Sequence, residues 1–174
     1  MQIEKIPEMS LTPAHEAEIA ALLARCFSTD FGGRSYFQQR HHLRIVARAP
    51  ELVGHVALLY RAVRLGDALI TIAGLAEVAT DPAHRGKGIA ASLLQAAIAE
   101  AKASQAEFLV LFGTADLYAK AGFTSQPNPM TWIDLTDARI GTVRSEGADA
   151  LMVLPLSEAA WDGTAALDLL GHLF

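Results

Sequence analysis

The sequence predicts a single α/β domain over residues 1–174, with a mixed, largely antiparallel sheet flanked by helices. Three observations carry this. Between Leu43 and Thr80, three apolar runs are separated only by the turn signals Ala49–Glu51 and Gly66–Asp67, the pattern of an antiparallel meander. Residues Thr12 to Phe27 and Ile89 to Lys102 repeat apolar side chains at helical spacing. The apolar burst from Glu107 to Gly113 suits a central strand.

The elements follow in order. Ile3 to Pro7 reads as a short first strand. Thr12 is placed as an N-cap with Pro13 at the first helical position, and Ile19, Leu22, Leu23, Cys26 and Phe27 then fall on one helical face. Thr29 to Gly33 ends that helix. Arg34 to His42 is polar around Tyr36 and Phe37, and reads as either a short helix or an ordered loop. Strands are expected over Leu43–Arg48, Leu52–Leu65 and Ala68–Thr80, then a helix with Ile89, Leu93, Ala97 and Ala101 on one stripe. A short helix is expected from Thr114 to Ala121, with Thr114 as N-cap and Gly122 as the stop. Gln126 to Pro129 is irregular. Met130–Leu135 and Ala150–Leu156 are late strands separated by a polar loop around Arg144 to Gly147. Trp161 to Phe174 has no decisive pattern; with the late strands it is a candidate for a homodimer contact or a substrate lid.

Composition narrows the class. Of 174 residues, 52% are hydrophobic and 19% charged, enough for a full core with little room for long disorder. A net charge of -5 and a pI near 5.6 argue against a nucleic-acid partner. One cysteine, Cys26, excludes an internal disulfide and a multi-cysteine zinc site, and no metal is expected. Cys26 lies in an apolar helical pattern, so it reads as a structural thiol ahead of a nucleophile. No apolar run approaches the ~20 residues of a membrane span. Met1 to Pro13 lacks the layout of a signal peptide, so the expected location is cytoplasmic, away from membranes.

The chemistry concentrates between Ala76 and Ala90. There a strand leads through a short loop into a glycine-rich helix start, and no acidic residue occurs between Asp81 and Glu100. Backbone N–H groups from Arg85 to Ala90, beside the cations Arg85 and Lys87, form an anion site, with phosphate the first candidate. Three phosphate loops compete. A Walker loop fails because Gly88 follows Gly86 and Lys87 where a hydroxyl residue is needed. A dinucleotide fingerprint is met literally by Gly86, Gly88 and Ala91, but Asp81 to Arg85 separates it from its strand and Glu107 begins the next strand instead of ending it.

The third pattern, an Arg or Gln followed by x-x-Gly-x-Gly/Ala, is met by Arg85, Gly88 and Ala90. It resembles the acetyl-CoA pyrophosphate loop of the GCN5-related N-acetyltransferase (GNAT) superfamily. A second segment, Asp116 to Phe123 with Tyr118, Gly122 and Phe123, resembles that family's Tyr-x-x-x-Gly-Phe stretch after the fifth strand, in the family's order and approximate spacing. The resemblance covers Leu43 to Phe123 and, more loosely, the N-terminal helices. Within the superfamily, uncharacterised bacterial acetyltransferases look similar over Phe108 to Phe123. His55 to Leu59 and Met152 to Pro155 look like the aminoglycoside 2′-N-acetyltransferases and nodulation acyltransferases.

The resemblance implies a GNAT-like acyl-CoA acyltransferase fold and direct acetyl transfer from acetyl-CoA to a primary amine, both substrates being bound together. Gly86, Lys87, Gly88, Ile89 and Ala90, with Arg85, are then expected to hold the pyrophosphate. A backbone N–H among Val78, Ala79 and Thr80 would polarise the thioester carbonyl, typically worth ~3 kcal/mol of barrier. Tyr118 matches the position that protonates the leaving thiolate; with an ordinary pKa of about 10 it is an acid at neutral pH, though a packing role is open. Glu77, the carboxylate within the strand leading to the loop, is the first candidate base, against a solvated strand-edge glutamate. His41, His42, His55 and His84 are alternatives, and a dedicated base need not exist. The acceptor is expected to be a small-molecule amine. Transfer of a longer acyl chain and a CoA-binding sensor without turnover are the rival readings.

Overall fold

A computed structural model describes residues 1–136, 138–147 and 150–174. Two compact units are present: Met1–Leu59 with Leu75–Ala99, and Tyr60–Gly74 with Glu100–Phe174. Strands β3 (Leu52–Leu65) and β4 (Ala68–Thr80) each contribute to both.

In the first unit, β1 (Gln2–Pro7) pairs antiparallel with β2 (Leu43–Arg48), from Gln2 opposite Arg48 to Pro7 opposite Leu43. β2 pairs antiparallel with β3, and β4 lies next to β3. Helix α1 (Pro13–Cys26) starts where expected: the Thr12 side chain accepts from the His15 N–H, and His15 Nδ1 accepts from the Thr12 N–H. A histidine thus stands where a capping box usually has Glu or Gln. Its buried face, Ile19, Leu22 and Leu23, packs with Ile6, Phe31, Val46, Leu52 and Ala79. Helix α2 (Ile89–Lys102) buries the expected stripe of Ile89, Leu93, Ala97 and Ala101. Gly54 in β3 makes room for it, since a Cβ there would lie 2.7 Å from Ile89 and 2.8 Å from Leu93. Arg34 to His42 is an ordered loop, not a helix. Its backbone is satisfied from elsewhere: Arg44 donates to the Ser35 carbonyl, and the His42 N–H donates to Leu58.

In the second unit the strand order is β6-β9-β5-β4-β3-β10-β7-β8. β5 (Phe108–Phe112) pairs antiparallel with β9 (Leu151–Pro155), and short β6 (Thr124–Ser125) with β9. The core gathers Val63, Leu65, Ile72, Phe108, Val110, Met130, Leu151, Val153, Leu167 and Leu169. Two expectations are corrected here, and the tail, which has no decisive sequence pattern, gains a strand. Helix α3 (Asp116–Lys120) is shorter than predicted, and Ala115, not Thr114, occupies its N-cap, with no side-chain bond. Arg139–Gly147, read as a loop around Arg144, is strand β8, paired along β7 (Pro129–Thr136). All nine of its residues are exposed, so no apolar alternation marked it. The tail contains β10 (Leu167–His172), antiparallel to β3 and parallel to β7. Buried Asn128 holds the approach to β10 by donating to the carbonyls of Asp162 and Ala165, each at 2.8 Å, and accepting from Trp161 Nε1 at 2.9 Å.

The pairings are mixed and mostly antiparallel, with helices packed on the strands, as the fold class predicted. Among the described residues, no helix is long and apolar enough to cross a membrane.

Candidate functional site

The glycine-rich stretch lies in the first unit. Asp81 ends β4 and caps a 3-10 turn (Pro82–His84): its Oδ1 accepts from the Ala83 N–H at 2.9 Å, and its Oδ2 accepts from Arg25 of α1 at 2.9 and 3.1 Å. The Ala83 N–H and Arg25 hold the Asp81 carboxyl below its ordinary pKa, so this anchor stays ionised in the neutral range. Gly86 and Gly88 both have φ +76, a left-handed backbone that side-chained residues seldom adopt. A Cβ at either would meet nothing within 4 Å, so glycine is needed there for conformation rather than for room. The first helical bond runs from the Ser92 N–H to the Gly88 carbonyl. The N–H groups of Ile89 to Ala91 therefore precede the first intrahelical donor. Arg85, Gly86, Lys87 and Gly88 are exposed, and the first turn carries no acidic residue. These residues fit a pyrophosphate: open space, helix-start donors ahead of the first intrahelical bond, two exposed cations and no acidic residue in the first turn.

Just upstream, β4 bends. Glu77 has φ +53 although it is not a glycine, a conformation costing roughly 1–2 kcal/mol that persists only where its surroundings impose it. They do so through its carboxylate. Oε1 accepts from the Phe37 N–H at 2.7 Å and lies 3.0 Å from His41 Nε2, while Oε2 accepts from Arg44 Nη1 at 3.1 Å. The side chain is 7% exposed, so the solvated strand-edge reading of Glu77 is corrected. Burial pushes its pKa up, but the neighbouring His41, with His55 and Arg44, outweighs burial and leaves it lowered. The bend immediately precedes Val78, Ala79 and Thr80, of which Ala79 is buried and the other two half-buried.

Sequence reasoning missed Arg44, which organises this bend, and named His41 and His55 only as alternative bases. Arg44 is fully buried in β2 and forks onto Glu8, with Nε at 2.7 Å and Nη2 at 3.2 Å. Its Nη1 also reaches the Ser35 carbonyl at 2.7 Å and His55 Nε2 at 3.2 Å. His55 Nδ1 lies 2.9 Å from the Glu77 carbonyl, which can only accept. Nδ1 therefore carries the hydrogen, and Nε2 is left to accept from Arg44. Burial, only partly opposed by Glu77, lowers the His55 pKa to about 4, so the ring is neutral and its lone pair is taken. The signal was an arginine next to the apolar run Ile45, Val46 and Ala47 of a strand, which needs a buried anion. His41 differs: its side chain is 5% exposed, and Nδ1 is buried without a hydrogen-bond partner among the described residues. Its Nε2 is close to Glu77, but the N–H is not aligned along the contact.

Cys26 Sγ donates to the Thr80 carbonyl at 3.3 Å, and burial raises its pKa against the opposing charge of Arg85. It is a half-buried thiol rather than a thiolate nucleophile. His84 is half-buried, 3.6 Å from Asp81.

Tyr118 lies in the second unit, on α3. Its ring meets Phe123 edge-on with centroids 6.1 Å apart, and a Cβ on Gly113 would come within 2.9 Å of it. Burial raises the phenol pKa above the ordinary tyrosine value, so it carries its proton at neutral pH. Gly122, with φ +97, ends the helix behind it as predicted.

Comparison with known proteins places the fold. The acetyltransferase (GNAT) domain family matches residues 9–125. Comparison with curated proteins gives no match. The chain is similar in structure to a GNAT family N-acetyltransferase (YhbS) from Escherichia coli in complex with CoA. The TM-score is 0.65 at 20% identity, over 96% of this chain and 88% of that one. It is similar to a GNAT family acetyltransferase from Brucella melitensis in complex with acetyl-CoA, with TM-score 0.58 and 18% identity over 95% and 94% of the two chains. A third likeness is to the ribosomal-protein-S18-alanine N-acetyltransferase from Escherichia coli, with TM-score 0.59 and 18% identity over 91% and 97%. The family match spans more than half of the chain, and these structures share its fold: the chain belongs to the GNAT acetyltransferase family, with the fold of acyl-CoA acyltransferases.

Proposed function

We propose that the protein is an acetyl-CoA-dependent N-acetyltransferase whose acceptor is the primary amine of a small molecule. The observation that carries the reading is the pair of left-handed glycines, Gly86 and Gly88, at an open, acid-free helix start in a chain of this family. In this reading Gly86 to Ala90 hold the pyrophosphate through backbone N–H groups, with Arg85 and Lys87 adding charge. Backbone donors of Val78, Ala79 and Thr80, aimed by the bend at Glu77, polarise the thioester carbonyl. Tyr118 gives its proton to the departing sulfur, which its raised pKa keeps available.

The candidate base is Glu77 acting with His41. A carboxylate of lowered pKa is by itself a weak proton acceptor, whereas an imidazole 3.0 Å away can take the proton with the carboxylate offsetting the new charge. His55 is unsuited, because its one lone pair already accepts from Arg44.

The reading is tested by thiol release from acetyl-CoA across a panel of primary amines. Release that depends on an amine supports it. Tight CoA binding with no release on any amine would favour the sensor reading, and faster release from longer acyl-CoA donors would favour long-chain transfer.

A further inference from the structure

The second unit contains an arginine whose position the roles above leave unused. Arg61 of β3 lies beside β10 where that strand loses its regular course. β10 keeps register with β3 at Leu167 opposite Leu65 and Asp168 opposite Arg64, and its pairing with β7 shifts between Asp168 and His172. Within that interval Leu170 adopts φ +50 and is 52% exposed, with its N–H held by Asp168 Oδ1 at 2.8 Å. Gly171 follows; a Cβ there would lie 3.2 Å from Arg61 Nη1. The bend and the missing side chain together make room for the guanidinium. Bulges of this kind are frequent beside functional sites, where they re-aim side chains.

The guanidinium is partly compensated. Nη1 donates to the His172 carbonyl at 2.9 Å and, more weakly, to Leu169 at 3.5 Å. The Phe174 ring lies 4.9 Å from the guanidinium carbon. No carboxylate among the described residues pairs with it, and burial is the cause that lowers its pKa, to about 10, which still leaves it charged at neutral pH. The Nε and Nη2 donors have no hydrogen bond to any described residue. A half-buried cation without a counter-ion is costly to hold, and a carboxylate approaching that free edge would meet two parallel N–H donors. The single charge of a carboxylate is balanced by one guanidinium. Its neighbour Arg64 falls on the opposite face by strand alternation and donates to the Asp67 carbonyl.

Contacts inside this unit connect the site to the chemistry. Phe174 meets Phe112 edge-on at 5.1 Å; Phe112 precedes Gly113, and a Cβ on Gly113 would press on the Tyr118 ring. We infer that Arg61 binds a carboxylate carried by the acceptor amine, so that the preferred substrates are amines bearing a carboxylate remote from the reacting nitrogen. The inference rests on the N-acetyltransferase reading and narrows its substrate class.

The test compares ω-amino acids with n-alkylamines of matched length, using the full chain and its Arg61→Gln and Arg61→Lys variants. The wild type is expected to favour the carboxylate member of a pair by at least about tenfold in kcat/KM, a step of about 1.4 kcal/mol. Arg61→Gln should erase that preference, Arg61→Lys should keep part of it, and alkylamine rates and CoA affinity should stay unchanged in both. Turnover of both amine series without preference in the wild type overturns the inference and leaves acetyl transfer standing. So does a preference that survives Arg61→Gln. A fall in CoA affinity in the variants would mean that Arg61 serves a phosphate of CoA, which also overturns it. Absence of turnover on every amine refutes the N-acetyltransferase reading itself. If Arg61→Gln does not fold, the wild-type preference and the charge-retaining Lys variant still decide.

Discussion

The buried histidine of β3 offers a test of the polar cluster that bends β4. His55 is fully buried, donates Nδ1–H to the Glu77 carbonyl, accepts from Arg44, and has its pKa lowered to about 4. In the unfolded chain a histidine titrates near 6.5. Above pH 6.5 both states hold the ring neutral, and the cluster contributes its full stability. As pH falls below 6.5 the unfolded chain takes up a proton that the folded protein refuses until about pH 4, so stability is lost across that window. The interval from 6.5 to about 4, at about 1.36 kcal/mol per pH unit, amounts to about 3 kcal/mol. His55→Gln removes the titration while keeping an oxygen that can accept from Arg44. It should cost about 1–3 kcal/mol at pH 7.5, because the Glu77 carbonyl loses its buried donor. The wild type's advantage over the variant should then shrink by up to about 3 kcal/mol as pH is lowered toward 4. Urea unfolding followed by circular dichroism between pH 7.5 and 4 measures both. Other carboxylates with lowered pKa, among them Glu16, Glu18 and Asp81, also cost stability on acidification, but in both proteins alike. Parallel stability curves for the two proteins would refute the account of a neutral, proton-excluding His55.

Other outcomes follow from the same geometry. Gly88→Val places a β-branched residue at φ +76 with nothing to collide with, so the fold should persist at a cost of roughly 1–2 kcal/mol while CoA affinity is lost. Calorimetric titration with CoA checks this, and unchanged affinity would remove the pyrophosphate assignment. Tyr118→Phe should lower kcat by about a hundredfold without altering CoA affinity, and wild-type turnover would reduce Tyr118 to a packing residue. Arg44→Met leaves the Glu8 and Glu77 carboxylates, 9% and 7% exposed, without their guanidinium, and should destabilise by about 3–5 kcal/mol in thermal melts. Arg40→Met, at a side chain 50% exposed, should cost less than about 1 kcal/mol. Equal effects would contradict the assigned burial.

The sequence alone determined the elements whose physics is local. Thr12 and Pro13 announced α1 through capping and a preset φ, the turns at Ala49–Glu51 and Gly66–Asp67 divided the meander, and Gly86 and Gly88 marked a backbone that side-chained residues resist. The loop and Tyr118 also stood in a family's order, which made the family legible before any fold was seen. What escaped had no local signature. β8 is exposed along its whole length and exists because β7 supplies its hydrogen bonds; β10 depends on contacts with β3 and β7 distant in the chain. The bend at Glu77 was the least readable feature, since glutamate does not favour a positive φ. It is imposed by Arg44, His41, His55 and the Phe37 amide, brought together from β2, β3 and a loop some 20 to 40 positions away. Tertiary structure decided these features because a buried charge finds its partners across strands, and no spacing in the sequence records who those partners are.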